Sequence, residues 1–141
     1  MLNLPKEEIL ALTIYGEARG EPIDGQIAVG CVIRNRVERL NSYIKVCLAK
    51  EQFSCWNTND PNYVVLTEMA DKLLMGQDIV DLDYQQCQYV ASGIINWFIK
   101  DITNGAKYYM VTTLLDSSNR PRWAQDTKTP IQIGKQTFFN V

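Results

Sequence analysis

The run Tyr15-Gly16-Glu17-Ala18-Arg19-Gly20-Glu21 sets one carboxylic acid between glycines, at the end of a segment rich in aliphatic side chains. A carboxyl group pressed against apolar neighbours loses solvation of its charged form, which favours the protonated acid and suits it to donate a proton near neutral pH. Glu17 is therefore the candidate acid. The flanking glycines are read as clearing room for a bulky substrate, and an ion pair between Glu17 and Arg19 is the competing reading of the same spacing. Glu21 and Asp24 are weaker candidates, because acids near a helix start are explained by its dipole.

The 141 residues contain no histidine. That excludes Ser-His-Asp and Cys-His nucleophile systems and HExxH zinc sites, and leaves proton transfer to carboxylates, Tyr, Lys or Cys. Cys31, Cys47, Cys55 and Cys87 form no CxxC pair, and Cys31 lies in a strongly apolar stretch, so the thiols read as buried and inert. No metal and no cofactor is expected. Asp78-x-x-Asp81-x-Asp83 lacks the glycine and closing glutamate of a calcium loop and reads as a solvated acidic turn.

A lone acid accompanied by rings that stack on sugars and amides that read hydroxyls is the equipment for cleaving glycosidic bonds. Phe53, Trp56, Tyr108, Tyr109 and Trp123 supply rings. Asn35, Gln52, Asn57 and Asn59 supply amides, and Ser54, having no base, is a hydrogen-bond donor and not a nucleophile.

These residues must be held by elements, and the apolar spacing predicts which. Asn3 as cap, Pro5 in the first turn, and Leu10, Ile14 and Glu17 at i, i+4, i+7 predict a helix over Pro5–Ala18 that puts Glu17 on the apolar face. Pro22 breaks it. From Ile23 to Leu40, Ala28-Val32 and Val29-Ile33-Val37-Leu40 form two adjacent apolar rows, so this helix reads as central. Gly25 and Gly30 would admit close neighbours, and after Asn35-Arg36 the helix emerges into solvent or a polar groove.

The turn formers between Cys47 and Tyr63 predict an ordered loop. Helices follow over Asn62–Met75, closed by Gly76, and over Asp83–Lys100. Lys107–Thr113 and Ile131–Val141, rich in β-branched and aromatic residues, read as short strands. Helices first and a little β last give a mainly α, α+β class.

Length and composition fit a single domain, residues 1–141, with 46% apolar and 21% charged residues. A net charge of −2 offers no basic face for nucleic acid. No run approaches the length of a transmembrane segment, and the N-terminus has neither the basic nor the apolar region of a signal peptide. The reading is a chain made in the cytoplasm.

Four ordered blocks resemble the cell wall hydrolases of the spore-cortex-lytic type. They are Tyr15–Glu21 followed by Gly25-Gln26-x-Ala28-Val29-x-x-Val32-x-x-Asn35-Arg36-Val37; Gln52–Asn57 running into Asn59–Asn62; Gly105-Ala106-x-Tyr108-Tyr109; and Pro121-x-Trp123-Ala124 with Ile133-Gly134-Lys135. The resemblance covers Ile9 to Phe139. It implies a lysozyme-like domain with a central buried helix that cleaves peptidoglycan glycan strands, with Glu17 as catalytic acid and base; a monomer is expected. Asn35, Gln52, Phe53, Ser54, Trp56, Tyr108, Tyr109 and Trp123 are the expected substrate-binding residues.

On this analogy Glu17 protonates the glycosidic oxygen beside N-acetylmuramic acid and then deprotonates the C6 hydroxyl, giving a 1,6-anhydro sugar by lytic transglycosylation. Attack by water would instead make the chain a muramidase and call for a second carboxylate such as Glu21 or Asp60. Many family members carry histidine where this chain has Tyr108 and Gln136. A non-catalytic peptidoglycan-binding protein is the other reading. An amidase acting on the stem peptide is disfavoured, since it would need a metal or a Cys-His pair. The missing signal peptide suits a phage endolysin or a trimmed catalytic domain.

Overall fold

Helix α1 (Lys6–Ala18) is nearly apolar on every side from Ile9 to Tyr15, and a helix without a polar face must be surrounded. In the computed structural model, which describes residues 3–40 and 42–141, each of those seven residues is buried. Thr13 satisfies its hydroxyl by donating to the Ile9 carbonyl at 2.8 Å. The cap position is Pro5, not Asn3: its carbonyl accepts from the Glu8 and Ile9 amides at 3.0 and 3.1 Å.

Helix α2 (Ile23–Leu40) is buried from Gly25 to Arg34, with Ile27 partly so, and packs beside α1 as the expected central helix. The side chain of Leu40, the last member of the predicted apolar row, lies outside the described residues. Gly30 lets α5 (Leu82–Ile95) press against α2, since a Cβ there would stand 2.8 Å from Ile94 Cγ1.

Arg34, 2% exposed, explains why α5 stops five residues before Lys100. Its Nη1 donates to the Ile94 and Ile99 carbonyls at 3.0 and 2.9 Å, placing a cation at the negative end of the helix. Trp97, under the guanidinium, adopts φ 60°, and the Phe98 and Ile99 amides turn back to the Gly93 carbonyl. Phe98, expected within the helix over Asp83–Lys100, consequently lies beyond its end and is 86% exposed.

A short helix α3 (Tyr43–Leu48), absent from the sequence reading, starts at Ser42, whose hydroxyl accepts from the Lys45 amide at 3.2 Å. The expected loop contains one 3-10 turn, Ser54–Trp56. Helix α4 (Pro61–Leu74) is capped by the Asp60 side chain on the Asn62 amide at 2.8 Å and ends before Gly76, at φ 75°. Asp81 caps α5 and accepts the Tyr15 hydroxyl at 2.8 Å, and these bonds, Tyr15 foremost, hold its carboxyl below the usual range.

Strands β1 (Tyr108–Val111), β2 (Lys128–Ile133) and β3 (Gln136–Asn140) form an antiparallel sheet in the order β1-β3-β2, with Tyr108 opposite Phe139 and Tyr109 opposite Phe138. A short helix α6 (Thr112–Leu115) follows β1 directly. The stretch read as strand over Ile131–Val141 is interrupted by a turn at Gly134, φ 60°, and extends back to Lys128, making a hairpin. The class is mainly α, α+β.

The four cysteines are buried and free. Burial pushes the thiols up, Cys31 to about 11 and Cys47 and Cys87 to about 12. No described helix is long and apolar enough to cross a membrane.

Candidate active site

Glu17 is the penultimate residue of α1, and its side chain faces a groove of about 530 Å³ between that helix end and the sheet. Three donors from two other elements hold its carboxyl group. The Tyr109 hydroxyl on β1 donates to Oε1 at 2.5 Å, while the Cys55 backbone N–H and the Ser54 hydroxyl, both in the 3-10 turn, donate to Oε2 at 3.2 and 3.4 Å. Hydroxyls can donate or accept, so Tyr109 and Ser54 can serve the carboxyl with or without its proton. Burial first, and the Glu17 charge next, raise Tyr109 well above the ordinary phenol range, which keeps that hydroxyl protonated. Arg19 instead lies over the Tyr15 ring at 4.8 Å.

The glycine before Glu17 has a different role from the one expected of it. A Cβ on Gly16 would stand 2.6 Å from Cys55 Cβ and 2.7 Å from Leu66 Cδ1. Gly16 therefore admits the Ser54–Trp56 turn and α4 against α1, and so brings the Cys55 amide to Glu17. It does not clear space for substrate. Gly20, with nothing within 4 Å of its Cβ position, does stand in the open.

Rings and one cation line the rest of the groove. Trp123 is 53% exposed and stacks on buried Phe139, with planes 22° apart and centroids 6.0 Å apart; Tyr108 sits 5.6 Å from Trp123. Arg36 lies between the rings of Phe53 and Tyr108, at 5.2 and 5.4 Å. Its Nε donates to the Lys107 carbonyl at 2.6 Å and its Nη1 to Gln52 Oε1 at 3.2 Å. Burial lowers its pKa from the ordinary arginine value.

Of the residues singled out in the sequence, Glu17, Gln52, Ser54, Tyr108, Tyr109 and Trp123 meet at this groove. Three of the nine expected catalytic and substrate-binding residues do not line it, and neither do the amides Asn57 and Asn59. Asn35 donates to Asp101 Oδ2 at 3.1 Å and the Ala106 carbonyl at 2.9 Å, bracing the loop that leads into β1. Phe53 is 1% exposed and belongs to the core, and the Trp56 indole N–H donates to Thr13 Oγ1 at 3.0 Å, against α1. Asp60 is committed to the α4 cap, and Glu21 lies beside Gly134, whose Cβ position is 3.6 Å from Glu21 Oε2.

Arg36 and Glu51 line the groove and were not singled out. The signal for Arg36 was present: it follows the buried half of α2, where the sequence turns polar. Tyr109 was read as a sugar platform, yet its hydroxyl is spent on Glu17.

The sequence profile described as Cell Wall Hydrolase matches residues 20–139. The chain belongs to that family. It is similar to the spore cortex-lytic enzymes of Oceanobacillus iheyensis, 57% identical over 30 residues, and of Bacillus subtilis, 59% identical over 29 residues. Each of these matches covers 21% of this chain, and they span 11% and 10% of those relatives' lengths. Among solved structures, the catalytic domain of the germination-specific lytic transglycosylase SleB from Bacillus anthracis superposes with a TM-score of 0.63 at 26% identity. That superposition covers 96% of this chain and 93% of the other. The lysozyme-like, mainly helical fold expected from the resemblance is the fold observed. Glu17 lies just before the stretch matched by the family profile, so its assignment rests on the groove.

Proposed function

We propose that this chain cleaves the glycan strands of peptidoglycan beside N-acetylmuramic acid as one catalytic domain, with Glu17 as the single acid and base. One observation carries the reading: the Glu17 carboxyl group, held by Tyr109, opens onto the groove whose wall is the Tyr108–Trp123 ring pair. A flat, half-exposed ring beside a proton donor suits a sugar stacked with its glycosidic oxygen at the acid.

Protonated Glu17 gives its proton to the glycosidic oxygen, the bond from that oxygen to C1 breaks, and positive charge develops at C1. The resulting carboxylate takes the proton of the muramoyl C6 hydroxyl, and O6 closes on C1. No water is consumed, Glu17 ends protonated as it began, and no second carboxylate takes part. The commitments of Asp60 to a helix cap and of Glu21 to the Gly134 side favour this lytic transglycosylation.

Glu51, exposed on the same groove, is the observation that favours hydrolysis as the second reading. Mass spectrometry of fragments released from purified peptidoglycan separates the two, since an anhydro end is one water lighter than a reducing end. Glu17→Gln should reduce release at least about 100-fold, the usual worth of general acid–base catalysis, with the fold retained. Full release by that variant removes the mechanism. A reducing-end product that disappears in Glu51→Gln selects hydrolysis.

A further inference from the structure

Arg36 is a cation whose hydrogen bonds in the described structure go to neutral oxygens. Nε is fixed on the Lys107 carbonyl, Nη1 on Gln52 Oε1, and the rings of Phe53 and Tyr108 lie to either side. Among the described residues no acceptor is found for Nη2, and Arg36 lines the groove wall. A partly buried guanidinium whose described hydrogen bonds all go to neutral oxygens would gain from a negative charge brought by a ligand.

Its contact with Gln52 determines how the neighbouring amide points. Arginine has no acceptor, so the Gln52 oxygen must face Nη1, and the exposed Gln52 NH2 group is turned away from the cation. The same wall thus carries a charged N–H donor and a neutral one. Glu17 has no described hydrogen bond to either; its oxygens accept from Tyr109, Ser54 and Cys55. Glu51, also on the groove, has no described hydrogen bond to Arg36.

We propose that Arg36 and Gln52 form a carboxylate-binding subsite, which makes the enzyme selective for glycan whose muramoyl residues carry a free acid over glycan in which that acid is neutralised. The inference rests on the function proposed above and names the substrate feature read at that same groove. With Nε and Nη1 already engaged, the carboxylate would take one bond from Arg36 Nη2 and one from the Gln52 NH2 group, and a charge-assisted bond is stronger than a neutral one. The acid could belong to the lactyl group of muramic acid or to the attached peptide. Both offer the same chemistry.

The test is binding to the Glu17→Gln protein, followed by tryptophan fluorescence, so that it does not depend on turnover. The probes are a peptide-free muramoyl tetrasaccharide with free lactyl carboxylates, its methylamide, and a peptide-bearing tetrasaccharide before and after amidation of its acids. At least about tenfold weaker binding of one neutralised probe is expected, and the pair that shows it identifies the acid. In Arg36→Met the ratio should fall to within about twofold. Equal affinity for both charged and neutral pairs overturns the subsite, whether or not Arg36→Met folds. Failure of the wild-type protein to release any fragment would overturn the proposed function separately.

Discussion

The Tyr109 hydroxyl stands 2.5 Å from Glu17 Oε1, joining an edge strand of the sheet to the C-terminal end of helix α1. Ninety-two residues separate the two in the chain. The acid's orientation therefore depends on a contact that exists only when sheet and helices have docked.

Tyr109→Phe should keep the ring packed on Phe138, 5.4 Å away, while removing that contact. The expected outcome is a kcat lowered about 10-fold or more with KM within about twofold, since a hydrogen bond to a charged group is worth roughly 1.5–3 kcal/mol. Steady-state kinetics on soluble glycan fragments measures it. An unchanged kcat would take Tyr109 out of the reaction.

Gly16→Ala tests the packing beneath the acid. The new Cβ meets Cys55 and Leu66 at sub-contact distances, so overpacking should cost about 1–3 kcal/mol and lower the melting temperature. Activity should fall further than stability alone explains, because the Cys55 amide shifts from Glu17. A variant as stable and as active as wild type contradicts the close packing.

Trp123→Ala should raise KM about 3- to 10-fold and leave kcat nearly unchanged, the signature of a ring that binds sugar without entering the bond-breaking step. Trp123→Phe should recover most of the loss. An equal fall in kcat for both variants would place the ring elsewhere in the reaction.

Alkaline pH should destabilise the fold. The thiols of an unfolded chain ionise near pH 9, whereas Cys31 is held to about 11 and Cys47 and Cys87 to about 12. Burial raises Tyr15, Tyr43, Tyr84 and Tyr109 as well. Above pH 9 the unfolded state thus binds fewer protons than the native one, and unfolding free energy falls as pH rises. Urea denaturation should give a flat midpoint from pH 7 to about 8.5 and a loss of at least about 2 kcal/mol by pH 10.5. A midpoint that holds through pH 10.5 would mean that these groups ionise in the folded protein.

Much of the helical frame was legible because local patterns and tertiary demand agree. The apolar run Ile9–Tyr15, the Pro22 break and the paired rows of α2 placed two helices to within a residue or so. Where the two diverged, a partner distant in sequence decided. Periodicity carries α5 through Phe98, but Arg34 from another helix takes the Ile94 and Ile99 carbonyls and the chain turns. Phe53 and Trp123 are both aromatic residues among turn formers, and only the packing shows that one is core and the other a groove wall. In the same way, Gly16 reads locally as clearance, while its real neighbours arrive from residues 55 and 66.

The grip on Glu17 draws on the first helix, a mid-chain turn and a strand near the C-terminal end. No contiguous fragment smaller than most of the chain can rebuild it. Bond cleavage should consequently vanish at the first sub-global opening that undocks the sheet, before the helices themselves melt. Catalytic output would then serve as a sentinel of global integrity, more sensitive to early unfolding than helical circular dichroism.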